Sequence, residues 1–238
     1  MRRTLFVSLL VLFAAMLPFT HSAAAPLEQL GYVERVIAAE HDARLPMVVA
    51  VHGLGSSPEE FLSLFDGFEL PVRVIAPRAP DAWQVGTSWY PIDDPAQAVI
   101  AVRRRADALA ALMTTLQKQR PTRGRPIITG FSQGGVLSFA LAAYHPQRLT
   151  AALPIAGMLR SSMPAFRKAP AGFRLIALHG RDDERIAYRA AEETVARLTK
   201  VGTRASLEGF AGVGHHVSPA MLARFHELLR AQLKATKP

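Results

Sequence analysis

Short runs of mostly apolar residues, separated by segments with helical spacing, constrain the fold of this chain more than any other feature. The runs lie at residues 47–51, 72–76, 126–129, 149–156 and 173–178. Apolar runs of this length, without polar alternation, are typical of strands that are buried on both faces. Since consecutive parallel strands need a crossover segment between them, the sequence predicts an α/β fold in which a mostly parallel sheet carries helices on both faces.

The segments between these runs carry helix signals. Residues 57–60, Ser-Pro-Glu-Glu, have the pattern of a capping box with proline at the first helical position. A longer helix is predicted to begin at Asp94, where apolar residues then recur every three or four positions. Three consecutive arginines at 103–105 fall largely off that apolar face, so we expect them on the solvated surface of the helix. A last helix is predicted to begin at Ser218.

Composition excludes several classes of protein. The chain has 238 residues, of which 50% are hydrophobic and none is cysteine. It is therefore not expected to be disordered, and it has no disulfide scaffold, thiolate metal site or cysteine nucleophile. The net charge of +9 comes from basic residues scattered along the chain, which we interpret as surface charge rather than as a nucleic-acid interface. The sequence contains no candidate linker and no internal repeat, so one domain over residues 26–238 is predicted.

The first 25 residues have the pattern of a secretory signal peptide. A basic start is followed by an apolar run over residues 5–19 and by small residues at 22–25. The apolar run is shorter than the roughly 20 residues needed to span a bilayer, although an uncleaved anchor is the alternative. We therefore expect cleavage near Ala25, no membrane span in the mature chain, and a secreted or periplasmic protein.

The strongest chemical motif is Gly-Phe-Ser-Gln-Gly-Gly at residues 130–135. It follows a predicted strand and precedes an apolar helix, which is the setting of the strand–turn–helix elbow that exposes a nucleophilic serine. The sharp turn places Ser132 at the amino end of the helix, where free N–H groups stabilise negative charge. Ser132 is thus the candidate nucleophile.

A serine nucleophile needs a base, and the base needs an orienting acid. In folds with this elbow, the acid and then the histidine follow the serine along the chain. Asp182 and Asp183 come directly after the run that ends near residue 178, and His215 and His216 lie in a glycine-rich loop before the last helix. The residues by themselves leave both choices open.

The loop after the first apolar run completes the candidate site. Residues 52–57 read His-Gly-Leu-Gly-Ser-Ser, and glycines let such a loop turn a backbone N–H towards an oxyanion. We interpret His52 as a structural hydrogen-bonding residue. No motif for a metal site or a phosphate-binding loop is present in the sequence, so no cofactor is expected.

Taken together, these motifs resemble those of the phospholipase/carboxylesterase family, the branch of the α/β-hydrolases that includes acyl-protein thioesterases. The resemblance extends roughly from Leu45 to Gln232. It implies an α/β-hydrolase fold without a large cap domain. It also implies Ser132 as nucleophile, Asp183 as acid and His215 as base.

The same resemblance implies that the backbone amides of Leu54 and Gln133 form the oxyanion hole. Trp89 matches a tryptophan of the family, whereas Glu184 stands where many members have proline. An export signal is unusual for thioesterases that act on cytosolic acylated proteins, which argues against protein depalmitoylation.

The substrate is predicted from two loops. Only a short segment with two prolines separates Ala156 from Phe173, which is too little for a helical cap, so an open site is expected. Trp89 and Tyr90 are predicted to bind substrate as an apolar wall, or alternatively to anchor their loop. These observations predict a small-molecule ester substrate with a short to medium acyl chain. The alternatives are polymeric or aromatic esters, or a non-catalytic binding protein.

Overall fold

The computed structural model describes residues 29–163 and 166–235. The predicted signal peptide, residues 1–25, lies outside the described residues. The strands are β1 (Tyr32–Ile37), β2 (Met47–Val51), β3 (Val72–Pro77), β4 (Asp81–Trp83), β5 (Gly86–Ser88), β6 (Ile127–Phe131), β7 (Ala151–Ile155), β8 (Arg174–Gly180) and β9 (Ala205–Phe210). The helices are α1 (Pro58–Phe61), α2 (Pro95–Gln119), α3 (Gln133–Tyr144), α4 (Tyr188–Lys200) and α5 (Pro219–Ala235), with short 3₁₀ turns at Leu62–Phe65 and Pro146–Arg148.

A seven-stranded sheet with the order β1-β3-β2-β6-β7-β8-β9 forms the centre of the molecule. Only β1 pairs antiparallel, with β3, and every other neighbouring pair in this sheet is parallel. The parallel α/β architecture predicted from the apolar runs is therefore confirmed. Strands β2, β6 and β7 occupy the middle of the sheet, and their carboxyl ends consequently meet at one edge, where ligands bind in sheets of this kind.

Sequence patterns did not predict the two outer strands of this sheet. Strand β1 carries Glu34 and Arg35 between apolar residues, and β9 is only partly buried along its length. An edge strand pairs with a neighbouring strand on one side only and is partly exposed to solvent. It therefore lacks the continuous apolar run that marks a central strand. The separate β4–β5 hairpin was also missed, because each of its strands has only three residues, too few to show a pattern.

Buried side chains form one cluster on each face of the sheet. One cluster contains residues of α2 and α3, such as Leu109 and Phe139, and the other contains residues of α5, such as Phe225. Helices therefore cover both faces, as predicted. Among the helices of the described residues, none combines the length and the apolar character that a membrane crossing requires.

One feature of α2 differs from expectation. Arg105 is 6% exposed, and its Nε donates a hydrogen bond of 3.0 Å to the carbonyl oxygen of Trp89. Its guanidinium also pairs with Asp81 at 2.9 Å. The prediction that residues 103–105 are solvated was therefore wrong for Arg105, which ties α2 to the loop above it. Arg103 is half-exposed, and its guanidinium carbon lies 4.1 Å from the centre of the Tyr144 ring.

The connection between β7 and β8 is short and irregular. Its described residues, 156–163 and 166–173, form no helix. No large cap is therefore present in the part of the connection that the structure describes, which agrees with the prediction of an open site.

Candidate active site

Ser132 sits on the sharp turn between β6 and α3. Its backbone has φ of 57° and ψ of −115°, a conformation that residues other than glycine rarely adopt. The turn is this tight because the chain passes directly beneath the backbone of β2. A Cβ atom at Gly134 would overlap the carbonyl oxygen of Val51, and a Cβ atom at Gly130 would collide with the backbone of Gly134. The glycines of the motif are therefore required by packing, and the strain exposes the Ser132 hydroxyl.

The structure brings the serine, one histidine and one aspartate into a continuous hydrogen-bonded chain. The distance from Ser132 Oγ to His215 Nε2 is 2.9 Å, and the distance from His215 Nδ1 to Asp183 Oδ2 is 2.8 Å. Asp183 follows β8, and His215 lies on the loop between β9 and α5. Because the carboxylate accepts the Nδ1 proton, His215 Nε2 is left to accept the Ser132 hydroxyl proton.

The same contacts distinguish Asp183 and His215 from Asp182 and His216, their neighbours in the chain. Asp182 and His216 both have exposed side chains. The hydrogen bonds of the described residues run from Ser132 to His215 and from His215 to Asp183, and none of them involves the side chain of Asp182 or His216. The placement therefore agrees with Asp183 and His215, the pair that the resemblance implied.

The side chain of Asp183 is fixed by burial and by several hydrogen bonds. Its side chain is fully buried, and Oδ1 accepts hydrogen bonds from the backbone N–H groups of Arg185 at 3.0 Å and Ile186 at 2.8 Å. Burial alone would raise the pKa of this carboxyl group. The hydrogen bonds from Ile186 and His215 outweigh burial, and the pKa of Asp183 is lowered below its ordinary value. The group is consequently a carboxylate at neutral pH.

His179 is a further residue of this cluster, to which the sequence analysis gave no role. Its Nε2 donates to the carbonyl oxygen of Ile186 at 2.7 Å and lies 3.1 Å from Asp183 Oδ2. Burial lowers the pKa of His179, which favours the neutral ring. His179 thus braces both the carboxylate and the loop that caps it. The signal in the sequence was the His-Gly pair that ends β8, which repeats the His-Gly pair after β2.

His52 has the structural role expected for it. The ring is fully buried, its Nδ1 lies 2.8 Å from the carbonyl oxygen of Gly53, and its Nε2 accepts the N–H of Ala79 at 3.3 Å. Burial lowers the pKa of His52 and so keeps the ring neutral. The ring holds the loop after β2 in place and makes no hydrogen bond with Ser132.

Two backbone amides beside Ser132 have no acceptor in the part of the chain that the structure describes. The N–H groups of Leu54 and Gln133 make no hydrogen bond with any described residue, and both residues line the cavity that contains the serine. Gln133 is also the first residue of α3, so the positive end of the helix dipole points to the same place. This is the arrangement that an oxyanion hole requires.

Trp89 corrects one of the substrate-binding predictions. The side chain is fully buried, and its Nε1 donates a hydrogen bond of 3.0 Å to the carbonyl oxygen of His52. Its backbone N–H donates to Gln133 Oε1 at 2.8 Å, while Gln133 Nε2 donates to the carbonyl oxygen of Tyr90 at 2.9 Å. Trp89 is not part of the cavity wall. It anchors its loop, the alternative considered above, because its indole N–H finds a partner only inside.

Tyr90, in contrast, does line the cavity next to Ser132. The cavity has a volume of about 620 Å³, within the range of small-molecule sites. Much of its wall is apolar and comes from α2, α3 and the β7–β8 connection: Ala98, Val99, Val102, Val136, Met158 and Met163. Burial raises the pKa of the Tyr90 phenol well above its ordinary value, so the hydroxyl keeps its proton.

The parallel sheet, the strained serine elbow and the chain order serine, aspartate, histidine define the α/β-hydrolase class. Within that class, residues 33–233 match the family described as phospholipase/carboxylesterase. The chain belongs to this family, and the predicted α/β-hydrolase fold is confirmed.

The following three relatives are distant from this chain in sequence. The carboxylesterase SOBER1 of Arabidopsis thaliana is 23% identical over 112 residues, which are 46% of this chain and 49% of that protein. The match therefore spans about half the length of this curated relative. Among solved structures, the esterase PE8 is 23% identical with a TM-score of 0.72, covering 87% of this chain and 100% of that chain. Acyl-protein thioesterase 2 of Zea mays is 18% identical with a TM-score of 0.68, covering 84% and 99%. At such identities, the structural likeness shows the fold.

Proposed function

We propose that this protein is a serine carboxylesterase that forms an acyl-enzyme on Ser132. The observation that carries the proposal is the unbroken hydrogen-bonded chain from Ser132 through His215 to Asp183. Beside the serine lie two backbone amides that have no acceptor among the described residues. Membership of the phospholipase/carboxylesterase family supports the same reaction class.

The proposed reaction proceeds in two halves. In the first, His215 Nε2 takes the hydroxyl proton as Ser132 Oγ bonds to the ester carbonyl carbon, and the N–H groups of Leu54 and Gln133 hold the resulting oxyanion. Collapse breaks the bond to the alcohol oxygen, which receives the proton from His215. In the second half, water gives a proton to His215 as its oxygen bonds to the acyl carbon. The bond from this carbon to Ser132 Oγ then breaks, Oγ takes the proton back from His215, and the acid is released.

Asp183 orients the base and stabilises its charged form. Its carboxylate accepts the Nδ1 proton of His215 and stays ionised because its pKa is lowered. The Asp183→Asn variant keeps the size of the side chain but removes its charge and favours the wrong tautomer of His215. We expect kcat to fall by about 10²- to 10⁴-fold.

Covalent labelling tests the reaction class directly. A fluorophosphonate probe is expected to label the wild-type protein and to leave Ser132→Ala unlabelled, because the probe reacts only with an activated serine. A fluorophosphonate that fails to label the folded wild-type protein would indicate a non-catalytic binding protein on the same fold.

Acyl-chain preference is the finer part of the proposal. The cavity of about 620 Å³ and the apolar wall beside Ser132 support esters with short to medium acyl chains. A series of 4-nitrophenyl esters from acetate to palmitate tests this, and kcat/KM is expected to peak below the longest chains. A steady rise in kcat/KM up to palmitate would contradict the proposal.

Export is proposed from the sequence of the first 25 residues. Expression of the full chain in a bacterial host, followed by fractionation and sequencing of the mature amino terminus, tests it. A mature chain that begins near Ala25 outside the cytoplasm is expected. An intact amino terminus in the cytoplasmic fraction would contradict export.

A further inference from the structure

Two arginines on the wall of the active-site cavity have no partner among the residues that the structure describes. Arg160 lies in the β7–β8 connection and Arg185 lies two residues after Asp183, and both residues line the same cavity as Ser132. Neither guanidinium takes part in a hydrogen bond, an ion pair or a ring contact with any residue that the structure describes. Arg105, which approaches the same region from α2, is bound to Asp81 and Trp89.

The cavity wall formed by the described residues also lacks a carboxylate that could neutralise these charges. The aspartate nearest in the chain, Asp183, is engaged with His215 and His179. Glu60 is held by hydrogen bonds from Ser56 Oγ at 2.9 Å and the Ser57 N–H at 3.3 Å. The cavity therefore keeps two uncompensated positive charges beside its reacting serine, on a chain with a net charge of +9.

Tyr90 adds a neutral hydrogen-bond donor on the same wall. Burial raises the pKa of its phenol, and the charge of Arg160 lies close enough to oppose part of this rise. The hydroxyl makes no hydrogen bond with the described residues and remains protonated, so it can donate to an acceptor in the cavity. A phenol and guanidinium groups together suit an oxygen-rich anion.

The rest of the cavity sets where such an anion can lie. Val99, Val102 and Val136 give an apolar surface, and Met158 and Met163 flank it. An anion is costly to place against such a surface, whereas an alkyl or aryl group is stabilised there. The wall thus offers an apolar part and a cationic part to one ligand.

We propose that the preferred substrates are esters that carry an anionic group, a carboxylate or a phosphate, recognised by Arg160 and Arg185. This inference rests on the proposed esterase function and narrows its substrate class. The anion binds the two guanidinium groups, with Tyr90 as an additional donor, while the apolar remainder of the ester packs against the valines. The hydrolytic reaction on Ser132 is unchanged.

Matched pairs of synthetic esters test the proposal. Mono-4-nitrophenyl adipate and 4-nitrophenyl hexanoate have the same leaving group and acyl length, but only the adipate carries a carboxylate. Phenyl butanoate and 4-carboxyphenyl butanoate test the alcohol side in the same way. The measured quantity is the ratio of kcat/KM for the anionic ester to kcat/KM for the neutral one, compared between variants so that intrinsic reactivity cancels.

The Arg160→Gln, Arg185→Gln double variant is expected to lower this ratio at least about tenfold for one of the two pairs, since charge-assisted hydrogen bonds are lost. The Arg174→Gln, Arg204→Gln double variant is the matched control, because it also removes two positive charges, from exposed positions at the amino ends of β8 and β9. Arg174 lies at the opposite end of β8, about 20 Å from Asp183. The ratio of the control is expected to stay at the wild-type value.

Each result bears on the proposal. A ratio that is the same in the double variant, the control and the wild type would overturn the anion site while leaving the esterase function intact. An equal fall in the double variant and the control would assign the effect to net charge and also overturn it. If the folded wild type neither reacts with the fluorophosphonate nor cleaves any ester, the esterase function fails and the substrate proposal fails with it.

Discussion

The two sides of the active-site cavity are built in opposite ways. At the catalytic corner, the side chains of Ser132, His215 and Asp183 all have hydrogen-bond partners, and glycine backbones fill the space beneath the serine. The other side of the cavity wall, which we call the rim, carries Arg160 and Arg185. Their guanidinium groups have no partner among the described residues. The three side chains of the corner are paired with one another without a ligand, whereas the charges of the rim are satisfied only by water or by a bound ligand.

This difference separates chemistry from specificity. The corner is set by backbone packing between β2, β6 and α3, so its geometry tolerates little change. The rim is set by long side chains on irregular loops, which can be exchanged without disturbing the sheet. Changes at the corner should therefore alter kcat or stability, and changes on the rim should alter the choice of substrate.

The largest effect is expected at the base. His215→Ala should lower kcat by on the order of 10³-fold or more, and the Ser132→Ala, His215→Ala double variant should be hardly worse, because the groups act as a unit. His216→Ala is the control and should stay within about twofold of wild type, since its side chain is exposed. Steady-state kinetics on a neutral 4-nitrophenyl ester measures this. Loss of activity in His216→Ala alone would show that the base was wrongly assigned.

The next effect concerns the packing of the corner. Gly134→Ala places a methyl group where the Val51 carbonyl oxygen lies, so the elbow must shift, and we expect a loss of about 2–3 kcal/mol of stability. Gly31→Ala, which meets no atom within 4 Å, is the matched control and should change stability by less than about 0.5 kcal/mol. Chemical denaturation measures both. Equal stability of the two variants would mean that the corner is not constrained by its backbone.

Charge at the corner should appear in the pH dependence of stability. The folded pKa of Asp183 is lowered, so its carboxylate stabilises the folded state above the unfolded pKa, and this contribution is lost as pH falls through the folded pKa. Asp183→Asn lacks the contribution at every pH. The difference in unfolding free energy between wild type and variant should therefore be largest near pH 7 and shrink below about pH 4. Denaturation curves from pH 7 to pH 3 test this, and a constant difference would argue against it.

The smallest effect is expected for Trp89, whose indole is bound to the loop after β2. Trp89→Phe removes the hydrogen bond to the His52 carbonyl oxygen and should cost about 1–3 kcal/mol of stability. Because Trp89 does not line the cavity, KM for a neutral ester should change by less than about threefold. Tyr90→Ala is the comparison, because it removes cavity wall and should raise KM more. A larger rise in KM for Trp89→Phe would return Trp89 to the substrate-binding surface.

Much of this molecule is determined locally along the chain. Unbroken apolar runs identified the central strands, because a strand covered by helices on both faces has no polar side. The glycines around Ser132 identified the elbow, because only glycine tolerates such close backbone approach. Edge strand β1 was not predicted, since its adjacent charged residues Glu34 and Arg35 interrupt the apolar run and are compatible with several structures.

Only the tertiary structure decided the contacts between distant segments. It placed Asp183 rather than Asp182 against His215, turned Trp89 into the core, and buried Arg105 beneath the loop that Trp89 holds. It also brought Arg160 and Arg185 onto one cavity wall. A sequence pattern predicts the secondary structure of a segment from residues that are close along the chain. Contacts between side chains of distant segments depend on how the sheet and its loops pack, and the sequence of one segment does not determine this packing.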